Sequence, residues 1–414
     1  MKFALRSCFA LTLLAAIALA ATPPPKPKIR AITGFITIDA KSYPAQLQDA
    51  VTFLSQVRAA VQDAGYEVSG IRISTQPFPE YTRGLSHAEA LSLLRGIDEV
   101  AGKLKFNPNI GPVMLQDDDS GSVDLLTEVL SIPGNRLVSN IITAGEDGIH
   151  WNAIHQAARI VRAVGQHSPH GQGNFNFAAI AMLKPYGPFY PGAWHAGGEP
   201  PAFAIGIESA NVVMDVFQHQ HDPRTAGEAL TKALTLHAQA IEAAAKKVAG
   251  GSGWTYAGID PTPAPAGEVS IGAAIESFTG APFGAPGTET VSGIITRAVK
   301  AVPVKQTGYS GLMIPVLEDA VLTRRWTEQT YGLDSILAYS AVCAGGVDTV
   351  PLAGDTSEEA IARIIGDVAT LAFKWNKPLA TRLLPSPGRK AGEMTEFSGA
   401  LGNSVIQPLI GSRK

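Results

Sequence analysis

The chain reads as an α/β fold on a mainly parallel sheet, open or closed into a barrel, and three features of the sequence predict it. Short apolar, strand-like runs, roughly ten of them, alternate with longer segments whose apolar residues recur at helical spacing. The 414 residues are 45% hydrophobic and 17% charged, enough to fill a large packed core. After residue 30 there is no repeat, charge run or long polar linker, so residues 29–414 read as one continuous domain.

The N-terminus has its own logic. Lys2 and Arg6 precede an apolar run from Cys8 to Ala20, and Ala18-Leu19-Ala20 supplies small residues at cleavage spacing. Residues 1–21 are therefore expected to be a signal peptide, with 22–28 (TPPPKPK) a Pro-rich spacer. That assignment implies a secreted or periplasmic protein with no membrane span after cleavage, since no later run reaches 18 apolar residues. Removing the leader takes Cys8 with it and leaves Cys343 alone, so no internal disulfide is expected.

Residues 31–38 read as the first strand, and Leu47, Val51, Leu54, Val57 and Val61 put a helix over 44–64, stopped by Gly65. A strand at 70–74 follows. Ser86 and Glu89 form a capping box for a helix reaching Leu104. Next come a strand near Val113, a helix from Val123, a strand at 136–142 and a helix over 149–164. Asp117-Asp118-Asp119 fits a calcium loop poorly, because Ser122 stands where Gly is needed; it reads as helix-terminal acid. Strands are expected at 175–183, 201–207, 254–259, 312–316, 347–352 and 380–384. Helices are expected at 225–248, 288–302, 328–342 and 356–374, the last opened by a second box, Thr356-x-x-Glu359.

A net charge of −3 and a pI near 6.3 give no reason to propose a nucleic-acid partner; a small-molecule ligand is the expected one. Nothing in the sequence specifies an oligomeric state. No Walker loop, G-x-S-x-G or H-E-x-x-H is present, and Gly171-x-Gly173 lacks the third glycine of a dinucleotide fingerprint. The segment 188–208 is the most suggestive. Trp194 and His195 stand among Gly and Pro, with Gly198 and Glu199 close behind, where backbone can approach a ligand. A Gly/Pro turn with a surface His is the plain alternative.

His195 and Glu199, together with Asp260, Glu318, Asp319 and Asp355, form a distributed constellation. Carboxylates at strand C-termini meet at the open face of a parallel sheet, where they could hold a divalent cation with His195 or work as an acid–base pair. Asp260 could instead begin an Asx turn, and Asp355 precedes a helix cap. His219-x-His221 is a weaker metal pair that requires an extended segment. Arg382, inside an apolar strand, needs an acidic partner or binds an anion. Cys343 reads as a small core residue.

Several stretches occur in one order: GPFYPGAWHAGGE (187–199), IDPTPAPAGEVSIGAAIE (259–276), FGAPGT (283–288), GYSGLMIPVLEDA (308–320), AVCAGGVDTVPLAGDT (341–356) and 376–409. In these the chain resembles a family of bacterial proteins of unassigned activity, the PFL family proteins (DUF711/UPF0210-like). The resemblance implies a single large α/β barrel of about ten strands with surrounding helices, similar to pyruvate formate-lyase, and a loop entering its lumen. It places His195, Gly198, Glu199, Asp260, Glu318, Asp319, Asp355 and Arg382 on family-motif positions. A glycyl-radical mechanism does not carry over, because Ser398-Gly399-Ala400-Leu401-Gly402 lacks the R-V-x-G pattern.

The expected function is that of an exported hydrolase or lyase acting on a sugar or organic acid. His195, Glu199, Asp260, Glu318 and Asp319 are its catalytic candidates, and Arg382, Asp355, Gly198 and Trp194 its binding candidates. A solute- or glycan-binding protein without turnover is the alternative.

Overall fold

The computed structural model describes residues 24–119 and 122–410, so the expected leader over 1–21 lies outside the described residues. The sheet begins with β1 (Lys28–Ile36), which alternates side chains between two covered faces. α1 (Tyr43–Asp63) starts with Pro44 in its first turn and lays Leu47, Leu54, Val57 and Val61 against β1 and β2 (Ile71–Thr75). After the single turn α2 (Phe78–Tyr81) comes α3 (His87–Leu104). Its expected capping box is present: Ser86 Oγ accepts from Glu89 N–H while the Glu89 carboxylate accepts from Ser86 N–H. β3 (Asn107–Pro112), α4 (Val123–Ser131), β4 (Val138–Gly145), the short β5 (Gly148–Ile149), α5 (Trp151–His167) and β6 (Phe177–Ala181) complete the first half. Asp117 accepts from Ala153 N–H in the first turn of α5, and Asp119 closes its own turn on Leu115 and Gln116, so this acidic run is structural as expected.

The second half holds β7 (Ala202–Glu208), α6 (Ala210–His219), α7 (Pro223–Ala249), β8 (Thr255–Asp260), α8 (Ile271–Thr279) and α9 (Thr288–Lys300). α10 (Ala320–Thr327), α11 (Leu333–Tyr339), β9 (Gly346–Ala353), α12 (Glu358–Trp375) and β10 (Leu379–Ser386) follow. Several elements depart from the pattern read above. α6, α8 and α10 carry no run long enough to stand out by periodicity, and the expected helix at 328–342 reduces to α11. The cap of α12 is Ser357, which accepts from Ala360 N–H, while Thr356 bonds back to Ala353. His219 lies in the last turn of helix α6, so His219 and His221 are not the extended pair that metal binding required.

The ten-stranded sheet runs β8-β7-β1-β2-β3-β4-β6-β10-β9, with β5 beside β4. β1, β2, β3, β4 and β6 are parallel. β7 and β8 run together against β1, and β10 and β9 run together against β6. The sheet is thus mixed, made of parallel blocks of opposite sense. Its hydrogen-bonded path is not closed between β8 and β9. The expected strand at 312–316 does not form. Pro315 in its middle has no N–H to donate, so it makes one isolated bridge to Asp348 of β9. Gln306, earlier in the same segment, makes one to Ile259 of β8.

Helices cover one face of this sheet. A contiguous apolar core there runs from Ile29 to Leu401. The other face is covered by the chain between β6 and β7.

Candidate functional site

Strand alternation decides which side chains meet that connecting loop. In β1, a Cβ on Gly34 would strike Leu54 of α1, so its neighbour Thr33 faces away and donates to the Pro188 carbonyl at 2.9 Å. Asn109 of β3 and Asn140 of β4 lie on the same face and both donate to the Pro191 carbonyl, at 2.9 and 2.8 Å. Tyr190 donates to the Ile73 and Asn107 carbonyls at 2.8 and 3.1 Å. Buried polar groups on four strands, β1 to β4, are therefore spent on holding the tip, 188–192. Gly206 and Gly192 let it seat, since a Cβ at either would run into Phe189 or Tyr309.

Beside the tip lies a cavity of about 460 Å³. Phe189, Tyr190 and Pro191 bound it on one side and Tyr309, Met313 and Ala264 on another, with Arg30, Arg72, Glu318, Asp348 and Arg382 in its wall. The charged residues form a chain. Arg30 donates to Glu208 at 3.0 Å and to Glu318 at 3.2 Å. Arg382 binds Asp348 through Nε at 2.7 Å and Nη2 at 3.1 Å, and reaches the other oxygen of Glu318. Arg72 stands apart: it packs over the Tyr190 ring at 4.7 Å.

Burial shapes the protonation of these groups. It pulls Arg382 down, but Asp348 and Glu318 outweigh it and hold the guanidinium above its ordinary value. Asp348 is raised by burial, against the pull of Arg382. Arg72 is lowered to about 10, first by burial and then by Arg30. Burial also raises Tyr190 and Tyr309, so both phenols remain hydrogen-bond donors.

The expected site residues divide between this cavity and elsewhere. Glu318 and Arg382 are in its wall, and Arg382 has the acidic partners its burial required. Asp260 is fully buried and sits behind it. Its carboxylate accepts from Thr262 N and Oγ1 at 3.0 and 2.6 Å, Tyr309 N at 2.8 Å and Ser310 N at 3.1 Å. Burial pushes it up to about 6 despite these donors. It is an Asx turn that also positions Tyr309. Asp319 is a double helix cap, accepting from Val321 and Leu322 of α10 and from Ser270, Ile271 and Gly272 at the start of α8. Asp355 is exposed in the turn after β9.

His195 belongs to the loop's return. Its backbone N–H donates to Thr75 at the far end of β2, three residues or about 10 Å from Arg72. The ring is buried, edge-on to Tyr186 at 5.4 Å, with Nδ1 accepting from Gly197 N–H at 2.9 Å and Nε2 facing the Pro200 carbonyl at 3.4 Å. Burial lowers its pKa. Gly198 and Glu199 are exposed beyond it. Trp194 borders a second cavity of about 380 Å³ with His150 and Lys184, and Glu199 a third of about 360 Å³ with Tyr186 and Lys305. His195, Glu199, Asp260, Glu318 and Asp319 thus do not share one site: of these five, Glu318 alone lines the first cavity. Cys343 is buried, and its carbonyl accepts from Lys377. Among the described residues no group of three or more His, Cys, Asp or Glu is arranged to hold a metal ion.

The residues not anticipated, Arg30, Arg72, Glu208 and Asp348, share one signal with Arg382: a charge within or at the end of an otherwise apolar strand.

Residues 24–398 match a family described as Uncharacterised ACR (DUF711). A UPF0210 protein of Pyrobaculum aerophilum is 29% identical over 380 residues, covering 86% of this chain and 83% of its own. One from Methanopyrus kandleri is 29% identical over 331 residues (76% and 73%), and one from Oenococcus oeni 27% over 365 (84% and 81%). The relatives are archaeal as well as bacterial, which widens the bacterial family expected from the motifs. The chain belongs to the DUF711 family of uncharacterised proteins, the group whose members carry the name UPF0210.

Proposed function

We propose that the chain is an enzyme of hydrolase or lyase type whose small polar substrate, a sugar or organic acid, occupies the cavity beside the loop tip. The observation that carries this is the run Glu208–Arg30–Glu318–Arg382–Asp348, whose last four members line the cavity. Buried ion pairs commonly contribute little net stability, so a chain of them facing an open cavity favours a chemical role. Glu318 is the acid–base group in this reading, with Tyr309 as hydrogen-bond donor. His195 acts at a distance, by fixing the loop. A second reading, binding without turnover, is favoured by one fact: both carboxylate oxygens of Glu318 are already engaged by guanidinium groups, those of Arg30 and Arg382.

Export and the closed barrel belong to the same proposal. The family match begins at residue 24, after the expected leader. The bridges from Gln306 and Pro315 to opposite edge strands support a pyruvate formate-lyase-like barrel completed by that segment. The test is turnover: the chain is incubated with a panel of sugars and organic acids, and products are followed by NMR. E318Q should remain folded by circular dichroism and lose product formation at least about a hundredfold. Turnover undiminished in E318Q would remove this site from the reaction. Retained affinity without any product would leave the binding reading.

A further inference from the structure

We infer that the ligand of this cavity is an anion, a carboxylate or a phosphate, and that Arg72 receives its charge. The inference rests on the reading of the cavity as the functional site and adds the class of molecule to it.

Four arginines line the cavity, and three are taken, Arg136 by Asp98. Arg30 holds Glu208 and Glu318, and Arg382 holds Glu318 and Asp348. Around Arg30, Arg382 and Arg72, three carboxylates balance three guanidinium groups in number but not in position. Arg72 forms no ion pair among the described residues. Its single hydrogen bond, from Nη1 to the Pro188 carbonyl, is long at 3.4 Å, and its remaining contact is the Tyr190 ring face. A guanidinium offers five N–H donors in a planar fork suited to two oxygens of one acid group. Most of that fork is left for whatever fills the space it lines. Burial and the neighbouring Arg30 disfavour its charge, which an incoming anion would relieve. Neutral donors surround it: Asn107 opposes Arg72 in the β2–β3 register, and Asn107, Asn135 and Asn176 all line the cavity. They could bind the hydroxyl or carbonyl groups of the ligand's body.

Isothermal titration of the full chain with inorganic phosphate, malonate and neutral malonamide tests this, using wild type, R72M, R72K and E318Q. Phosphate or malonate should bind and malonamide should not, and whichever anion binds identifies the acid group. R72M should weaken that binding roughly 10- to 100-fold, the loss expected for one charge-assisted pair, with R72K between the two. Thermal melts of each variant separate loss of the loop's support from loss of the ligand. Malonamide binding as well as malonate, or anion binding unchanged in R72M, would overturn the inference, as would no anion binding at millimolar concentration. If R72M is without effect while E318Q weakens a probe, the cavity stands and only the anion assignment falls. Anion binding that survives both substitutions would place the ligand elsewhere and remove the functional reading as well.

Discussion

His195 carries no proton on Nδ1 in this fold, because the Gly197 N–H points at that atom from 2.9 Å. Protonating it would set two donors against each other inside a buried loop. Burial accordingly holds the folded pKa below the unfolded value of about 6.5. Between those two values the unfolded chain binds more protons than the folded one, so stability from this residue rises with pH and is lost as acid carries it below about 6.5. Protection factors over 185–200, which correct for the intrinsic pH dependence of amide exchange, should fall between pH 7 and 5 in wild type. His195→Asn, whose amide oxygen can replace the acceptor, should flatten that dependence; identical profiles would contradict it. The sequence singles this residue out without saying why. A His among glycines reads the same whether its ring meets substrate or its own backbone. Arg382 was legible because a charge within an apolar strand demands a partner. The same argument applied to Arg72 and Asp348, but their strands, IRIS and VDTV, also read as ordinary alternation.

At the level of elements, Asp319 joins two helices. Its five donors come from both α8 and α10, and its carboxyl is buried. Asp319→Ala should cost about 3 kcal/mol, two caps at about 1 kcal/mol each plus buried N–H groups left unpaired. Urea unfolding would measure it, and a loss under about 1 kcal/mol would deny it the double role. α10 was hidden in the sequence because Glu318-Asp319 was read as the end of a strand. Pro315 prevented that strand, and a cap is recognisable only once its helix is known. Long amphipathic helices such as α1 and α7 were plain, since their apolar stripes persist for five turns or more. Gly258 tests the bridging segment. It has φ +143°, and a Cβ there would lie 2.6 Å from the Lys305 carbonyl. Gly258→Ala should therefore loosen 305–307 first, seen as faster amide exchange at Thr307, whose N–H is bonded to Ile259.

Across the whole molecule, the alternation of strands and helices was legible, and so was the presence of a special loop between β6 and β7. The opposite sense of the two blocks was not, because direction is set by which edge a returning strand joins, and no local pattern records that choice. That reversal is what brings Arg30 at the start of β1 beside Glu208 at the end of β7. Residues 178 positions apart are thereby made neighbours.

The buried loop tip has one further consequence. Tyr190 and Pro191 form the inner wall of the cavity and are bonded to three successive strands, so that wall is a fixed stop. Under the proposed turnover, product and substrate would contend for the same cavity, and inhibition by product should be competitive.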